Sequence, residues 1–201
     1  MLAAGMMTTL ETARLRLRPS VTGDRDDLFA LEQDAEVMRF LNGGEPTPPD
    51  GVDPEADFLM PRGGEAGIWV AEEKASSVFV GWFSLYDHGD GQAELGYRLR
   101  RSAWGQGYGS EAARALVDAG FSQFGFVRIV ANTMAVNQGS RRVMENAGLV
   151  HVRTVHADWA NPLPGSEAAK SNMRSRARPG TARVEITRPA RYDNRQGSSL
   201  K

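Results

Sequence analysis

The residues best suited to chemistry lie in one short stretch, Trp104-Gly105-Gln106-Gly107-Tyr108-Gly109-Ser110-Glu111, preceded by Arg100 and Arg101. Three alternate glycines strip side chains from a turn and leave its backbone N–H groups pointing outward. A helix opening there adds its own unpaired N–H groups and the positive end of its dipole. The combination suits a phosphate or pyrophosphate, with the two arginines adding positive charge beside it. A plain strand-to-helix turn that needs positive φ accounts for the glycines equally well. The spacing is neither that of a P-loop nor that of the G-x-G-x-x-G dinucleotide fingerprint. No G-x-S-x-G nucleophile elbow and no H-E-x-x-H metal motif occurs.

A second segment lies downstream. Asn137 can cap a helix, Ser140 falls in its first turn, and Arg141 and Arg142 follow. Taken alone this is an ordinary helix start.

Composition narrows the field. The chain has 201 residues, 24 Lys+Arg against 25 Asp+Glu, 22 Gly, 3 His and no Cys. That length supports one domain with a proper core. Without Cys there is no disulfide scaffold, no thiolate metal site and no cysteine nucleophile. A net charge of −1 argues against a protein that coats duplex nucleic acid. No apolar run approaches the ~18 residues a membrane helix needs. Residues 1–7 lack the positive start of a signal peptide, and their three Met suggest a natural start at Met6 or Met7. A cytoplasmic location is the expectation.

The elements that must position these residues are legible from periodicity. Arg14, Arg16 and Arg18 alternate with Leu15 and Leu17, which predicts one strand over 10–18 ended by Pro19. Leu28, Leu31, Val37, Phe40 and Leu41 recur at helical spacing over 24–41, with Asp24 as a cap and Asp34 as a break. Residues 42–67 hold six Gly and five Pro and read as a long loop with one helical turn near 54–60. Strands over 68–72, 78–86 and 92–99 form a meander, with turns at 73–77 and 87–91. A helix over 109–124 ends at Gly125. A strand over 127–133, a helix over 137–147 closed by Gly148, and strands over 149–155 and 183–187 complete the order, with 160–182 irregular. This is an α/β (α+β) single domain over 8–192 with a mostly antiparallel sheet, and with 1–7 and 193–201 as flexible tails. The crossover makes 92–99 parallel to 127–133.

These segments together resemble the GNAT superfamily of acyl-CoA-dependent N-acyltransferases, and within it the ribosomal-protein N-terminal acetyltransferases of the Rim type (RimJ/RimL-like). The family's Q/R-x-x-G-x-G/A falls on Trp104–Gly109: both glycines match, and Trp104 stands where Gln or Arg is usual, a departure typical of the Rim type. The Rim-type opening Leu-Glu-Thr-x-Arg-Leu-x-Leu-Arg matches residues 10–18. Glu94-Leu95-Gly96-Tyr97, then Asn137 with Ser140, then Gly148-Leu149 match in order. The resemblance covers residues 8–160 and 183–192.

It implies a GNAT fold, a mixed, mostly antiparallel sheet of six to seven strands flanked by helices and splayed at the fourth and fifth strands. It implies acetyl-CoA as co-substrate, no metal, and direct transfer to a primary amine. The amides of Gly105, Gln106, Gly107, Tyr108, Gly109 and Ser110 would hold the pyrophosphate. Pantetheine would pair with backbone near Tyr97 and Leu99, Asn137 would bond nearby CoA atoms, and Arg142 or Arg141 would reach the 3′-phosphate. Ser140 would serve the leaving sulfur, because the family's usual tyrosine position holds Met144. The base would be Glu94 or Asp158, with His88 and His156 weaker candidates; another base position falls on Asn132, which takes no proton. The acceptor would be a protein N-terminus or a small amine such as a polyamine or aminoglycoside. Neither membrane nor nucleic acid is an expected partner, and a homodimer is an option.

Residues 44–73 carry eight carboxylates against Arg62, which reads as a negative rim for a cationic amine, lined by Trp69, Trp82 and Trp159. Residues 168–201 carry nine cations against two acids, which suits an RNA contact or a solvated loop. The competing function is a non-catalytic acyl-CoA sensor, and a third is an RNA-associated module.

Overall fold

The computed structural model describes residues 8–48, 60–155 and 170–175. The leucine–arginine alternation at the start makes a hairpin rather than the single strand expected over 10–18. Leu10–Glu11 (β1) pairs antiparallel with Leu15–Pro19 (β2), setting Leu10 opposite Leu17. Thr12 forces the reversal: its hydroxyl oxygen accepts the Leu15 N–H at 2.8 Å, and its backbone N–H donates to the Leu15 carbonyl at 2.9 Å. Such a side-chain bond offers the backbone an alternative to continuing the strand.

A 3₁₀ turn at Thr22–Asp24 leads into α1 (Arg25–Gln33). The expected break is there. Asp34 separates α1 from α2 (Ala35–Met38) and accepts the Glu36 N–H at 3.0 Å. Asp24 is no side-chain cap for α1, because its own backbone is already helical. Its carboxylate turns back to take the Val21 N–H at 2.8 Å and two bonds from Arg18.

The meander is β3 (Ile68–Glu73), β4 (Phe79–Gly89) and β5 (Gln92–Leu99), all antiparallel. β4 runs past its expected end, so the second turn shrinks to Asp90 and Gly91, both at positive φ. Then follow α3 (Tyr108–Ser122), β6 (Arg128–Met134), α4 (Gln138–Asn146) and β7 (Leu149–Val155). The last described strand, β8 (Lys170–Ser175), falls where the sequence reads as irregular, and it lies between β6 and β7, antiparallel to both. Its residues, Lys-Ser-Asn-Met-Arg-Ser, carry no strand signal; pairing on both edges imposes the conformation. The expected strand over 183–187 lies outside the described residues.

The sheet order is β1-β2-β3-β4-β5-β6-β8-β7, a mixed and mostly antiparallel sheet. Among the described residues it has eight strands against the six to seven expected: the first strand is split and β8 is added, while the strand expected over 183–187 is outside the count. Strand alternation gives the sheet two packed faces. On one, α3 sets Ala112, Ala113 and Leu116 against Leu15, Leu17, Trp69, Phe83, Leu95 and Ile129. On the other, Leu28, Leu31 and Val37 cover Ile68, Val70 and Trp82. Each fully buried leucine here contributes about 1.5–3 kcal/mol. Trp69 stacks on Phe124 at 5.6 Å inside the α3-side core, so it lines no acceptor surface. Among the described residues, no helix is long and apolar enough to cross a membrane.

The feature that positions a site is the β5–β6 junction. The two strands pair in parallel only through Gln92–Arg128, Ala93–Ile129 and Glu94–Val130. Beyond that point β6 pairs with β8 on its far side, and among the described residues no strand pairs with residues 95–99 of β5 on that edge. This is the expected splay, one strand later in the count because the first strand is divided.

Candidate functional site

The glycine turn sits at the C-terminal end of β5. Gly105 and Gly107 adopt left-handed backbone, φ +74° and +80°, and Gly107 caps the N-terminus of α3. An L side chain at either would cost about 1–2 kcal/mol. Three side chains hold the turn in place. Trp104 donates its indole N–H to the Leu99 carbonyl at 2.9 Å, and Gln106 donates to the Ser102 carbonyl at 2.7 Å. Arg14, from the β1–β2 turn, donates to the Gln106 carbonyl at 3.0 Å and lies over the Tyr108 ring at 4.5 Å. Glu111 fixes that arginine, contacting its guanidinium at 2.8 and 2.7 Å. It also takes the Arg14 N–H at 2.8 Å and the Thr12 hydroxyl at 2.6 Å.

Tyr108 is buried and donates its hydroxyl to Glu73 at 2.5 Å. That bond raises the phenol, while Ser76 and Tyr108 together lower the Glu73 carboxyl. Ser110 accepts the Asn146 amide at 3.1 Å, tying α3 to α4. At Gly109 a Cβ would lie 3.1 Å from Val143, so α4 packs directly on the opening of α3. The Gln106 and Tyr108 side chains are engaged within the fold and Ser110 Oγ accepts from Asn146, so the stretch presents chiefly the backbone N–H groups that the sequence reading named.

Where β5 and β6 part, Glu94 gathers two partners. Asn132 donates to one carboxylate oxygen at 2.8 Å, and His88 Nε2 lies 3.0 Å from the other. Tyr86 packs edge-on against the His88 ring at 5.2 Å. The hydrogen bond that His88 donates to Glu94 raises the imidazole above its ordinary 6.5, with partial burial opposing. Asn132, which takes no proton itself, thus orients the carboxylate that can.

Tyr97 leaves β5 on the opposite face. Its hydroxyl lies 2.8 Å from Ser140 Oγ and 3.0 Å from the Ser140 carbonyl. Burial raises the phenol, Ser140 only partly opposing, so it stays protonated. Ser140 is in the first turn of α4, where Asn137 Oδ1 accepts its N–H at 3.0 Å. Asn137 is thus a helix cap whose oxygen is already used. Met144, at the position of the family's tyrosine, is buried in the α3-side core. The Leu99 carbonyl is taken by Trp104. Arg142 is exposed on α4, and Arg141 contacts the Ala135 carbonyl at 3.4 Å. Asp158, His156 and Trp159 lie outside the described residues.

On the face it shares with Glu94, β5 continues through Gly96 to Arg98. Arg98 is 5% exposed, 3.7 Å from the fully buried Glu32, and stands over Trp82 at 5.3 Å. Arg62 reaches the same carboxylate with bonds of 2.7 and 3.0 Å. Burial pulls Arg98 down to about 10, with Glu32 opposing. This cluster replaces part of the expected acidic rim. Arg62 is spent on Glu32, Glu65 accepts the N–H groups of Arg62 and Gly63, and Glu72 pairs with Arg18. Asp50, Asp53, Glu55 and Asp57 lie outside the described residues.

The sequence reading missed the Arg14 clamp, the Tyr97 phenol, the closeness of His88 to Glu94, and the Glu32 cluster. One signal was available for the last: Glu32 follows Leu28 by four residues, on the face α1 buries. Among the described residues, no group of three or more His, Cys, Asp or Glu could hold a metal ion.

Residues 14–150 match the acetyltransferase (GNAT) domain family. The chain is similar to the FsC-acetyl coenzyme A-N(2)-transacetylase of Aspergillus fumigatus, 34% identical over 171 residues, covering 79% of this chain and 72% of that one. Its fold is shared by a GNAT-family acetyltransferase from Bacillus anthracis (TM-score 0.63, 21% identity, 83% of this chain and 96% of that one). It is shared too by a RimL ribosomal L7/L12 alpha-N-protein acetyltransferase in complex with coenzyme A (TM-score 0.65, 18% identity, 85% and 98%).

Proposed function

Because the chain belongs to the GNAT acetyltransferase family, whose members use acetyl-CoA, we propose that it passes an acetyl group directly to a primary amine within one ternary complex. The observation that carries this reading is the junction itself. β5 and β6 stop pairing after Glu94 and Val130, and the open edge of β5 runs straight to the left-handed glycines that begin α3. An extended pantetheine arm fits such a strand edge, and a pyrophosphate fits a helix N-terminus stripped of side chains. We assign the pyrophosphate to the amides of the Gly105–Ser110 stretch. The arm falls to the backbone near Tyr97, and the adenosine phosphate to Arg142.

The amine must lose a proton as its nitrogen bonds to the thioester carbon. Glu94 is the base in this reading, and His88 shares its proton. At low pH the pair holds one proton between atoms 3.0 Å apart; once that proton is lost, the pair can take the one the amine gives up. The tetrahedral oxyanion then collapses, the C–S bond breaks, and its electrons leave on sulfur. Ser140 lies at the leaving end. Asp158 remains a second base candidate.

The acceptor is a protein N-terminus or a small amine; the RimL neighbour is named as an alpha-N-protein acetyltransferase and the Aspergillus relative as an FsC N(2)-transacetylase. The test is thiol release from acetyl-CoA over a panel of N-terminal peptides, polyamines, aminoglycosides and FsC. Turnover with at least one is the expected result. Tight CoA binding without turnover on any of them would favour the sensor.

A further inference from the structure

Ser140 has been assigned to the leaving end of the reaction, and the inference that follows rests on that reading. An aliphatic hydroxyl is a far weaker acid than a thiol of pKa ~8.5, so full proton transfer from Ser140 to a CoA thiolate would be steeply uphill. Tyr97 does not repair this. Its buried phenol would have to become a phenolate, and burial disfavours that form.

The contacts support a different role. Tyr97 carries one proton, and the acceptors in front of it are the Ser140 carbonyl at 3.0 Å and Ser140 Oγ at 2.8 Å. Phenol is the better donor of the two hydroxyls and Oγ is the nearer acceptor, so its proton lies toward Ser140 Oγ. Ser140 Oγ–H is then directed away from Tyr97, and accepting from the phenol strengthens it as a donor. The rest of the surroundings hold this arrangement. Phe83 packs on the Tyr97 ring at 5.7 Å, and Asn137 fixes the Ser140 N–H at 3.0 Å.

We propose that Ser140 donates a hydrogen bond to the departing CoA sulfur without transferring its proton, and that Tyr97 is the positioning residue that aims it. The balance closes without an acid. The amine nitrogen bonds to the carbonyl carbon, the amine proton goes to the Glu94–His88 pair, and the C–S electron pair leaves as thiolate. Solvent protonates that thiolate after release. The departure from the family's tyrosine position is then made good from another element, since the phenol comes from β5 rather than α4.

The test reads the thiol itself. Bound CoA is titrated by the ultraviolet absorbance of its thiolate, and CoA affinity is compared with that of desulfo-CoA across pH, in the full-length protein and in Ser140→Ala and Tyr97→Phe. The unsubstituted protein should bind CoA about tenfold tighter above the thiol pKa than below it, because a hydrogen bond to a charged group is worth about 1.5–3 kcal/mol. Desulfo-CoA should show no such change. Both substitutions should remove most of the tenfold gain and lower kcat with little change in KM for acetyl-CoA. The double variant should be no slower than Ser140→Ala, since Tyr97 acts through Ser140. Normal thiol ionisation in Tyr97→Phe, or effects of the two substitutions that multiply, overturns the proposal while leaving acetyl transfer standing. Failure of every form to bind CoA overturns both.

Discussion

Replacing Gly107 with alanine separates the strain of the turn from its use. Gly107 sits at φ +80°, where an L residue costs about 1–2 kcal/mol. The new Cβ would lie 3.4 Å from the tip of Arg14, a flexible side chain half exposed to solvent, so little steric cost is added. For a chain of this size, that strain lowers the Tm by roughly 2–8 °C. The methyl group also stands at the N-terminus of α3, where the pyrophosphate is assigned. Losing one charge-assisted backbone hydrogen bond there is worth about 1.5–3 kcal/mol, or a rise in Kd of roughly 10- to 100-fold. Calorimetric titration with CoA and with acetyl-pantetheine, which lacks the pyrophosphate, tells the two effects apart. CoA should weaken by that factor and acetyl-pantetheine should not. Gly125→Ala is the control, since φ is +77° in open space at the far end of the same helix, and it should lower Tm without touching CoA. Equal weakening of both ligands, or of neither, would refute the placement of the phosphate; an unchanged Tm would refute the strain argument.

The remaining predictions concern other parts of the same frame. Glu94 raises His88 above 6.5, so its proton leaves only at higher pH, and kcat should rise through an apparent pKa above that value. In His88→Gln this limb should vanish from the kcat–pH profile, and its persistence would remove His88 from the proton path. Arg14→Met should lower Tm little, because Arg14 is half exposed, Glu111 keeps its bonds from Thr12 and the Arg14 backbone, and ion pairs near the surface are worth about 0–1 kcal/mol. It should nonetheless raise KM for acetyl-CoA several-fold by freeing the Gln106 carbonyl, and an unchanged KM would make the clamp incidental. Glu32→Gln leaves two guanidinium groups without the buried carboxylate they share, at a cost of about 3–5 kcal/mol. Thermal melts should show a drop of roughly 6–20 °C, and a loss below about 3 °C would mean that the cluster is solvated.

Local features of this protein are written in neighbouring residues. Alternate glycines permit the left-handed backbone that Gly105 and Gly107 adopt, Asp34 breaks the first helix, and Asn137 caps the last. The meander and the parallel crossover follow from period and connection length, which are also short-range properties. The site as a chemical arrangement is not of that kind. Tyr97 meets Ser140 across 43 positions, Asn132 meets Glu94 across 38, and Arg14 meets Gln106 across 92. Those pairs exist because β5 and β6 part after one short run of pairing, and because a three-residue turn lays the first hairpin over the start of α3. Helix periodicity placed Glu32 on a buried face, but only the packed sheet brings Arg62 and Arg98 to it. β8 shows the limit most plainly. A polar segment becomes a strand because two neighbouring edges supply its hydrogen bonds, and no property of its own six residues required it. The glycine turn, the break at Asp34, the cap at Asn137 and the order of elements from the meander to β7 were legible in the sequence, since these depend on backbone preference and short-range pattern. Which hydroxyl faces which carbonyl was decided by tertiary structure, because that depends on register and splay.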